Sequence, residues 1–392
     1  MLMKTKYLNS LNAAQLLFIL LAFCSCSKKS DPSGGNTNPD TTKVKPFVYN
    51  YASLADSLQN ATYVAFISAD RNYYIQNNSG NNTFNYWPNA HVLNTLTDAF
   101  VRTNNSLYSQ RMKTLLNGIK AANGGAYPNE FYDDMGWLAN SSLRAYLVNH
   151  DADYLNVAQL LYTEIKSGGN NMEGGGIAWQ RTQLYYKNIP STGNAAILAA
   201  RLYQLLHNTD DLTFAKAQYA WMKTTLVTST GVVYDGINRN QDGQVDNWEF
   251  TYNQGLFIGS AVELYNCTKD AMYLQDAILT ANNELVDPNL TSNGILKSEG
   301  DGDGGLFKSI AVRYLELLIE LPDLDATDRT KYINFLQKNA QTVYVKGIGR
   351  PSMMCSPDWA RLPSGSTDLT TQLSGVTMIE AAARLKAEGK IN

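Results

Sequence analysis

The sequence is poor in charge and in metal-binding side chains. Charged residues are 17% of its 392 positions, and the formal net charge of −3 comes without a basic cluster. Nucleic acids bind concentrated positive charge, so nucleic acid is not an expected partner. The three histidines, His91, His150 and His207, lie far apart in the chain and form no compact zinc-ligand set. The glycine-rich phosphate loops of nucleotide-binding proteins are missing too, and we expect no required cofactor.

The apolar run near the start of the chain, residues 16–23, is too short to span a membrane. Lys4 and Lys6 precede this run, and Cys26 follows it with a small residue directly before it. A basic start, a short apolar segment and such a cysteine together resemble a bacterial lipoprotein signal. Plain secretion with cleavage nearby is the alternative interpretation.

These features predict three parts. We expect residues 1–25 to be a signal peptide and residues 26–46 to be the lipidated Cys26 with a flexible tether. The tether is rich in Ser, Gly, Asn, Pro and Thr, which cannot bury a core. Residues 47–392 are expected to form one folded domain. The protein would then be an exported lipoprotein of the outer membrane, held to that membrane only by its lipid.

Cysteine is scarce, with four in the whole chain. If Cys26 carries the lipid, Cys24 leaves with the signal peptide, and only Cys267 and Cys355 remain. These two could form one bridge or stay as separate buried thiols. No disulfide scaffold is implied.

Apolar residues recur with a 3.6-residue period throughout the body of the chain, which predicts helices. Breaks at Gly, Pro and Asn clusters divide this pattern into about twelve segments. The predicted helices lie near residues 50–76, 89–103, 105–121, 133–149, 152–167, 192–208, 211–227, 252–267, 271–286, 305–320, 326–343 and 368–388. Strand patterns are few and short, at residues 231–234 and 342–345.

A repeat lies under these helices. Tyr146, Tyr154 and Ala158 have the same spacing as a second set, Tyr265, Tyr273 and Ala277. Each set spans a helix end, a tight turn and the start of the next helix. Repeats of this size indicate about six helical hairpins, which predicts an all-α fold, an (α/α)6 barrel of about twelve helices. An open helical solenoid is the alternative, although its loops would be more regular. We expect the domain to be a monomer.

The predicted connections differ in length. Those that lead into even-numbered helices are long and carry most of the unusual aromatic, amide and acidic residues. In a closed ring of hairpins, these loops meet at one rim. Asp133 and Asp134, between Tyr132 and Trp137, lie in one of them. Alone, two aspartates at a helix start are usually a cap. Aromatic side chains converging from five other loops favour instead a site for a sugar, since rings stack on pyranoses and carboxylates catalyse glycoside chemistry.

Several motifs at this rim resemble glycoside hydrolase family 76, in that family's order and over residues 50–385. They are Tyr132-Asp133-Asp134-Met135-Gly136-Trp137, residues 174–179, Lys187-Asn188, Tyr234-Asp235-Gly236, Thr251-Tyr252-Asn253-Gln254-Gly255 and Phe307-Lys308. The resemblance implies an (α/α)6 catalytic domain over 47–392 and a retaining endo-α-1,6-mannanase. Its substrate would be α-1,6-linked mannan or manno-oligosaccharides.

The resemblance also implies roles for individual residues. Asp133 would be the nucleophile and Asp134 the general acid and base. The expected substrate-binding residues are Tyr132, Trp137, Trp179, Lys187, Asn188, Asp235, Tyr252, Asn253 and Gln254. One departure is Leu138-Ala139 after Trp137, where relatives often carry another aromatic residue.

Residues 238–249 have the spacing of a twelve-residue calcium loop. Oxygen-bearing side chains recur at the ligand positions, with Gly243 at the sixth position. The candidate ligands of a structural Ca²⁺ are Asn238, Asn240, Asp242 and Glu249. A polar turn without metal is the alternative.

Two other functions are compatible with an aromatic rim. A non-catalytic surface lipoprotein that binds mannan or another glycan would use the same aromatic residues, but would have no need of both Asp133 and Asp134. An unsaturated glucuronyl hydrolase would require basic residues for the substrate carboxylate, and the rim motifs supply mainly amides and aromatic rings.

Overall fold

The computed structural model describes residues 47–392, which are mainly α-helical. Twelve α-helices lie in this part of the chain. They are α1 Tyr51–Phe66, α2 Tyr86–Thr103, α3 Ser106–Ala122, α4 Tyr132–Asn149, α5 Ala152–Lys166, α6 Ile189–Leu206, α7 Thr209–Thr225, α8 Thr251–Thr268, α9 Ala271–Glu284, α10 Gly304–Ile319, α11 Ala326–Thr342 and α12 Leu369–Ala387.

The six even-numbered helices form a closed inner ring. Each packs on the next even-numbered helix, and α12 packs back on α2. The odd-numbered helices lie outside this ring, each against an inner neighbour. This arrangement is an (α/α)6 barrel, so the predicted fold class is confirmed.

Burial differs between the two layers because the inner helices are surrounded by protein. In α8 every residue from Thr251 to Tyr265 is buried, whereas α3 buries six residues along one face. Small residues let the inner helices approach closely. A Cβ added at Gly255 of α8 would lie 2.9 Å from the backbone of Ala311 in α10, so only glycine fits there.

The turns from inner to outer helices repeat one design. α2, α4, α6 and α8 each end at a residue in the left-handed conformation whose N–H bonds back to the last turn. The following Asn or Asp then accepts a hydrogen bond from the first turn of the next helix, as Asp151 does from the Asp153 N–H at 3.0 Å. His150 and His207 are two of the left-handed residues. The short turns that the repeat predicted are therefore Asn/Asp caps.

Two predicted segments are wrong. The first helix was expected to reach residue 76, but it ends at Phe66. The chain turns there because the Asp70 carboxylate accepts hydrogen bonds from the Ser68 hydroxyl and the Asn72 N–H, which replace helical bonds. The strand predicted at 342–345 is also wrong, since α11 continues into a π-helical turn, Val343–Gly347.

The strands in the described region are short and lie in the long loops. Lys187–Asn188 (β1), Tyr234–Ile237 (β2) and Val245–Glu249 (β3) form an antiparallel sheet in that order. Two further hairpins are β4 Thr291–Ser292 with β5 Ile295–Leu296, and β6 Ile348–Gly349 with β7 Met354–Cys355. The first sheet ties the loop before α6 to the loop before α8.

Ion pairs fill the C-terminal halves of the inner helices. Asp98 of α2 pairs with Arg144 of α4 and, at 2.8 Å, with Arg313 of α10. Arg384 of α12 pairs with Glu316 of α10. A cavity of about 310 Å³ lies among these side chains. Cations placed near helix C-termini also offset the negative ends of the helix dipoles.

The predicted signal peptide at 1–25, the lipidated Cys26 and the tether to residue 46 lie outside the described residues. Among residues 47–392, no helix combines the length and the apolar character needed to cross a bilayer. Cys267 and Cys355 are both free thiols, Cys355 being buried.

The predicted calcium loop is the β-hairpin between β2 and β3. Three candidate ligands accept hydrogen bonds from the protein itself: Asn238 from the Gly243 N–H at 2.9 Å, Asp242 from the Gln244 N–H at 3.0 Å and Glu249 from the Asn289 amide at 2.9 Å. No group of three or more His, Cys, Asp or Glu side chains in the described residues could hold a metal. Calcium binding by Asn238, Asn240, Asp242 and Glu249 stays a prediction.

A Ca²⁺ ion bound to the β2–β3 hairpin would stabilise the folded protein against heat. If the hairpin binds Ca²⁺, EDTA should lower the melting temperature and added Ca²⁺ should restore it, because a ligand that binds only the folded state stabilises it. Asp242→Ala should lose this response. An unchanged melting temperature in both experiments would mean that the hairpin is held by its own hydrogen bonds alone.

Candidate active site

Asp133 and Asp134 occupy the first turn of α4, but neither is its cap. The N-cap is Phe131, and the Tyr132 N–H donates to the carbonyl of Trp179 at 2.8 Å. Asp133 accepts a hydrogen bond from the Asp134 N–H at 3.1 Å. The two carboxylates are therefore free to face the rim, while the positive end of the α4 dipole lies beneath them.

A cavity of about 330 Å³ opens above this helix end. Its wall comes from the loops and helix starts before α2, α4, α6, α8 and α10. The lining residues are Asn85, Trp87, Phe131, Asp133, Asp134, Trp137, Trp179, Asn188, Pro190, Asp235, Arg239, Tyr252, Asp303 and Phe307. The predicted convergence of long loops on one rim is thus seen for five of the six even-numbered helices, whereas the loop before α12 contributes no residue to the cavity wall.

The two adjacent carboxyl groups differ in their surroundings. Burial raises the pKa of both. For Asp133, hydrogen bonds from two backbone N–H groups and from the Trp179 indole oppose that rise in pKa. Asp134 has no such donors, and the charges of Asp133 and Asp303 raise its pKa further. Asp133 therefore ionises before Asp134, and when the pair holds one proton that proton lies on Asp134.

Asp235, which also lines the cavity, is the centre of a buried hydrogen-bond network. One carboxylate oxygen accepts from the Tyr252 hydroxyl at 2.6 Å and from Asn253 at 3.2 Å. The other accepts from the Tyr186 hydroxyl at 3.0 Å and from Arg239 at 3.1 Å. With four donors, the Asp235 carboxylate is fully satisfied and fixes the side chains around it.

Aromatic rings form much of the remaining wall. Tyr252 and Phe307 stack nearly parallel, with centroids 4.0 Å apart. Trp179 packs against Phe131 at 5.1 Å, and Trp137 lies 6.4 Å from Trp87. Flat apolar surfaces beside carboxylates suit a ligand whose ring has one apolar face and hydroxyls at its edge.

Not every predicted binding residue reaches the wall. Those that line the cavity are Trp137, Trp179, Asn188, Asp235 and Tyr252.

Four others are buried behind the wall. Lys187 is fully buried and donates to the carbonyls of Gly168 and Gly176, which draw its side chain away from the cavity. Burial lowers the Lys187 pKa to about 8. Gln254 bonds the backbone of Val233, Asn253 bonds Asp235, and the Tyr132 ring packs on Gly168. The structure thus gives these four residues supporting contacts.

Asp303 and Arg239 line the cavity but were not predicted as site residues. Asp303 accepts a hydrogen bond from the Trp87 indole at 3.0 Å. Asp303 directly precedes α10, an even-numbered helix. That position was the available signal. Arg239 lies within the predicted calcium loop, and the turn after β2 folds its guanidinium back onto Asp235, four residues earlier in the chain.

Solved structures with the same fold include close relatives of the chain. An α-1,6-mannanase, GH76A of Salegentibacter sp. HEL1_6, matches 86% of this chain and 100% of its own, with TM-score 0.83 and 43% sequence identity. An inactive variant of that enzyme, in which two consecutive aspartates are replaced by asparagine, was solved in complex with α-1,6-mannotriose. The Lin0763 protein of Listeria innocua matches 87% of this chain and 99% of its own, with TM-score 0.81 and 35% identity.

Curated relatives are more distant. A Schizosaccharomyces pombe protein provisionally named a mannan endo-1,6-alpha-mannosidase is 26% identical over 292 residues, 68% of this chain and 66% of its own length. A second protein of that organism, with the same provisional name, is matched over 47% of its length. The chain thus spans about half to two thirds of these relatives.

The sequence profile of the family described as "Glycosyl hydrolase family 76" matches residues 52–390, nearly all of the barrel. The expected family is therefore confirmed: this chain belongs to glycosyl hydrolase family 76.

Proposed function

We propose that this protein is an endo-α-1,6-mannanase that cleaves internal α-1,6-mannosidic bonds of α-mannan. The observation that carries the proposal is the pair Asp133–Asp134, partly buried side by side on a cavity lined by aromatic rings. The Salegentibacter enzyme supports the substrate, since it is an α-1,6-mannanase with the same fold and 43% identity. Its variant with two consecutive aspartates replaced is described as inactive.

The charge of the cavity favours a neutral sugar. Four aspartates, Asp133, Asp134, Asp235 and Asp303, line it together with one basic side chain, Arg239. Arg239 is already paired with Asp235 and, at 3.6 Å, with Asp246. A substrate carboxylate would meet this negative surface without a free cation, which argues against a uronic-acid substrate.

The mechanism that we propose is a retaining double displacement. Asp133, ionised and held by the Trp179 indole and backbone N–H groups, attacks the anomeric carbon and forms a mannosyl-enzyme. Asp134, protonated in the resting enzyme, gives its proton to the departing O6 oxygen. In the second step the Asp134 carboxylate takes a proton from water, which attacks the anomeric carbon and releases Asp133. Asp235 and its donors would orient the sugar hydroxyls.

The decisive experiment combines catalysis and stereochemistry. Hydrolysis of linear α-1,6-mannan should release oligosaccharides whose first-formed reducing ends are the α-anomer by NMR, because two inversions restore the configuration. First-formed β-anomers would contradict the double displacement. Binding of α-mannan without any hydrolysis would instead support the non-catalytic glycan-binding alternative.

Variants separate the two carboxylates. Asp133→Asn and Asp134→Asn should each lower kcat by several orders of magnitude, since neither group has a substitute at the anomeric carbon. Asp134→Asn should lose less activity on an aryl mannoside with a good leaving group, which needs little protonation, and azide should rescue its second step. Asp133→Asn should lose activity on both substrates to the same extent. Full activity of Asp133→Asn would rule out this site.

The same burial predicts a trade-off with stability. Because the folded-state pKa of Asp134 is raised, its proton stabilises the folded state below about pH 4 and this contribution is lost as pH rises toward the folded pKa. Asp134→Asn should therefore raise the melting temperature at pH 8, by roughly 2 °C or more, and much less at pH 4. Asp301→Asn, an exposed neighbour in the loop before α10, is the matched control and should change neither value.

We also propose that the protein is an exported lipoprotein, anchored to the outer membrane by a lipid on Cys26. The support is the order of Lys4, Lys6, the apolar run and Cys26 in the sequence. Cys26→Ser should abolish labelling by a fatty-acid analogue and release the protein from the membrane fraction, and Cys24→Ser is the matched control. Labelling that depends on Cys24 instead would contradict the assignment.

A further inference from the structure

The cavity above α4 is small for a polymer. Its volume of about 330 Å³ lies near the lower end of the range for sites that enclose a small molecule. An enzyme that cuts inside a mannan chain must leave sugar units on both sides of the cut outside such a space. Under the proposed function, these sugar units contact the surface just beyond the cavity wall.

Trp248 is the most exposed tryptophan of the protein. All six tryptophans lie in the described residues, and the other five are buried or partly buried, whereas Trp248 is 47% exposed. It lies on strand β3. Strand β2, the partner of β3, carries Asp235 on the cavity wall. A single exposed apolar side chain is normal on a protein surface, so a role for Trp248 has to be inferred from the residues that it contacts.

Two sets of contacts join Trp248 to the wall. The Arg239 guanidinium lies 4.5 Å from the centre of the Trp248 ring and 4.4 Å from that of Tyr186, and it pairs with Asp235. On the other side, Trp248 contacts Phe250 with centroids 6.3 Å apart. Phe250 in turn lies 5.2 Å from Phe307, which lines the cavity.

These contacts make Trp248 the outer end of a continuous aromatic series that starts at the wall. The indole is also fixed in direction, because a cation–π contact holds one face and an edge contact holds its side. A rigid, half-exposed ring can stack on a pyranose at little cost in side-chain entropy. From this juxtaposition we propose that Trp248 forms an outlying subsite, on which a mannose unit beyond the cavity stacks.

The proposal predicts a dependence on chain length. Trp248→Ala should lower kcat/KM on α-1,6-mannohexaose by about tenfold relative to that on α-1,6-mannotriose, since the shorter sugar extends less far from the cavity. The loss should appear in KM for the longer sugar. Trp248→Phe should recover part of the ratio, because it keeps a ring at the same place.

Two control variants test whether the effect comes from a disturbed cavity instead of from the loss of the aromatic ring. Val245→Ala changes an exposed apolar residue on the same strand and should leave the ratio between the two sugars unchanged. Trp248→Leu keeps bulk beside Arg239 without an aromatic face, and it should behave like Trp248→Ala. An unchanged ratio in Trp248→Ala, or equal losses on both sugars, would overturn the proposal.

Binding measurements test the Trp248 subsite independently of the proposed function. In the Asp133→Asn background, calorimetry with α-1,6-mannohexaose should give a Kd about tenfold weaker after Trp248→Ala. If the native protein hydrolysed no mannan but binding still depended on Trp248, the proposed function would fail and the subsite would stand. Hydrolysis together with binding that ignores Trp248 would remove the subsite and leave the enzyme.

Discussion

Two adjacent carboxyl groups in a partly buried site cannot both be ionised without a large electrostatic cost, and the candidate active site is arranged around that constraint. Asp133 and Asp134 adjoin in sequence, so the helix start holds them close whatever the rest of the chain does. Burial and mutual repulsion favour one shared proton. The surroundings then decide its location, because donors from α4 and from Trp179 favour the Asp133 anion while Asp303 disfavours the charge on Asp134.

The barrel supplies those surroundings from separate loops. Trp179 comes from the loop before α6, Asp303 from the start of α10, and Asp235 from the sheet before α8. None of these groups is near Asp133 in sequence. A closed inner ring brings the N-termini of its even-numbered helices to one end, so the loops that precede these helices lie near one another. Supporting residues such as Lys187 and Gln254 then fix the loops by bonding backbone groups from behind.

The opposite halves of the inner helices carry a different kind of polar cluster. There Asp98 is shared by Arg144 and Arg313, and each charge has a partner of opposite sign. Burial disfavours the Asp98 carboxylate, but the two guanidinium groups outweigh it and keep the Asp98 pKa below its usual value. Breaking such a pair leaves an uncompensated buried charge. The end of the barrel that holds the candidate site thus has adjacent acidic groups, whereas at the other end acidic and basic groups pair with each other.

Much of the fold could be read from the sequence, because its signals are local. Helical periods, Asn or Asp at the turns and the repeat spacing located twelve helices and their pairing in hairpins. Asp133 and Asp134 could be predicted to lie at the rim because they are adjacent in the sequence and precede an even-numbered helix, as the other long loops do. The first helix was drawn too long because hydrogen bonds around Asp70 outweigh apolar periodicity.

What only the tertiary structure decided is which side chains face the cavity. Lys187 and Asn188 are neighbours in one motif, yet Asn188 lines the cavity and Lys187 is buried away from it, since carbonyls of Gly168 and Gly176 hold its ammonium group. Arg239 lies over the ring of Tyr186, which comes from the loop before α6 and is distant from Arg239 in the sequence. The sequence by itself determined the helices and the adjacent pair of carboxyl groups, because both depend on residues close in the chain. The wall around that pair depends on contacts between distant loops, and these exist only once the ring of helices has closed.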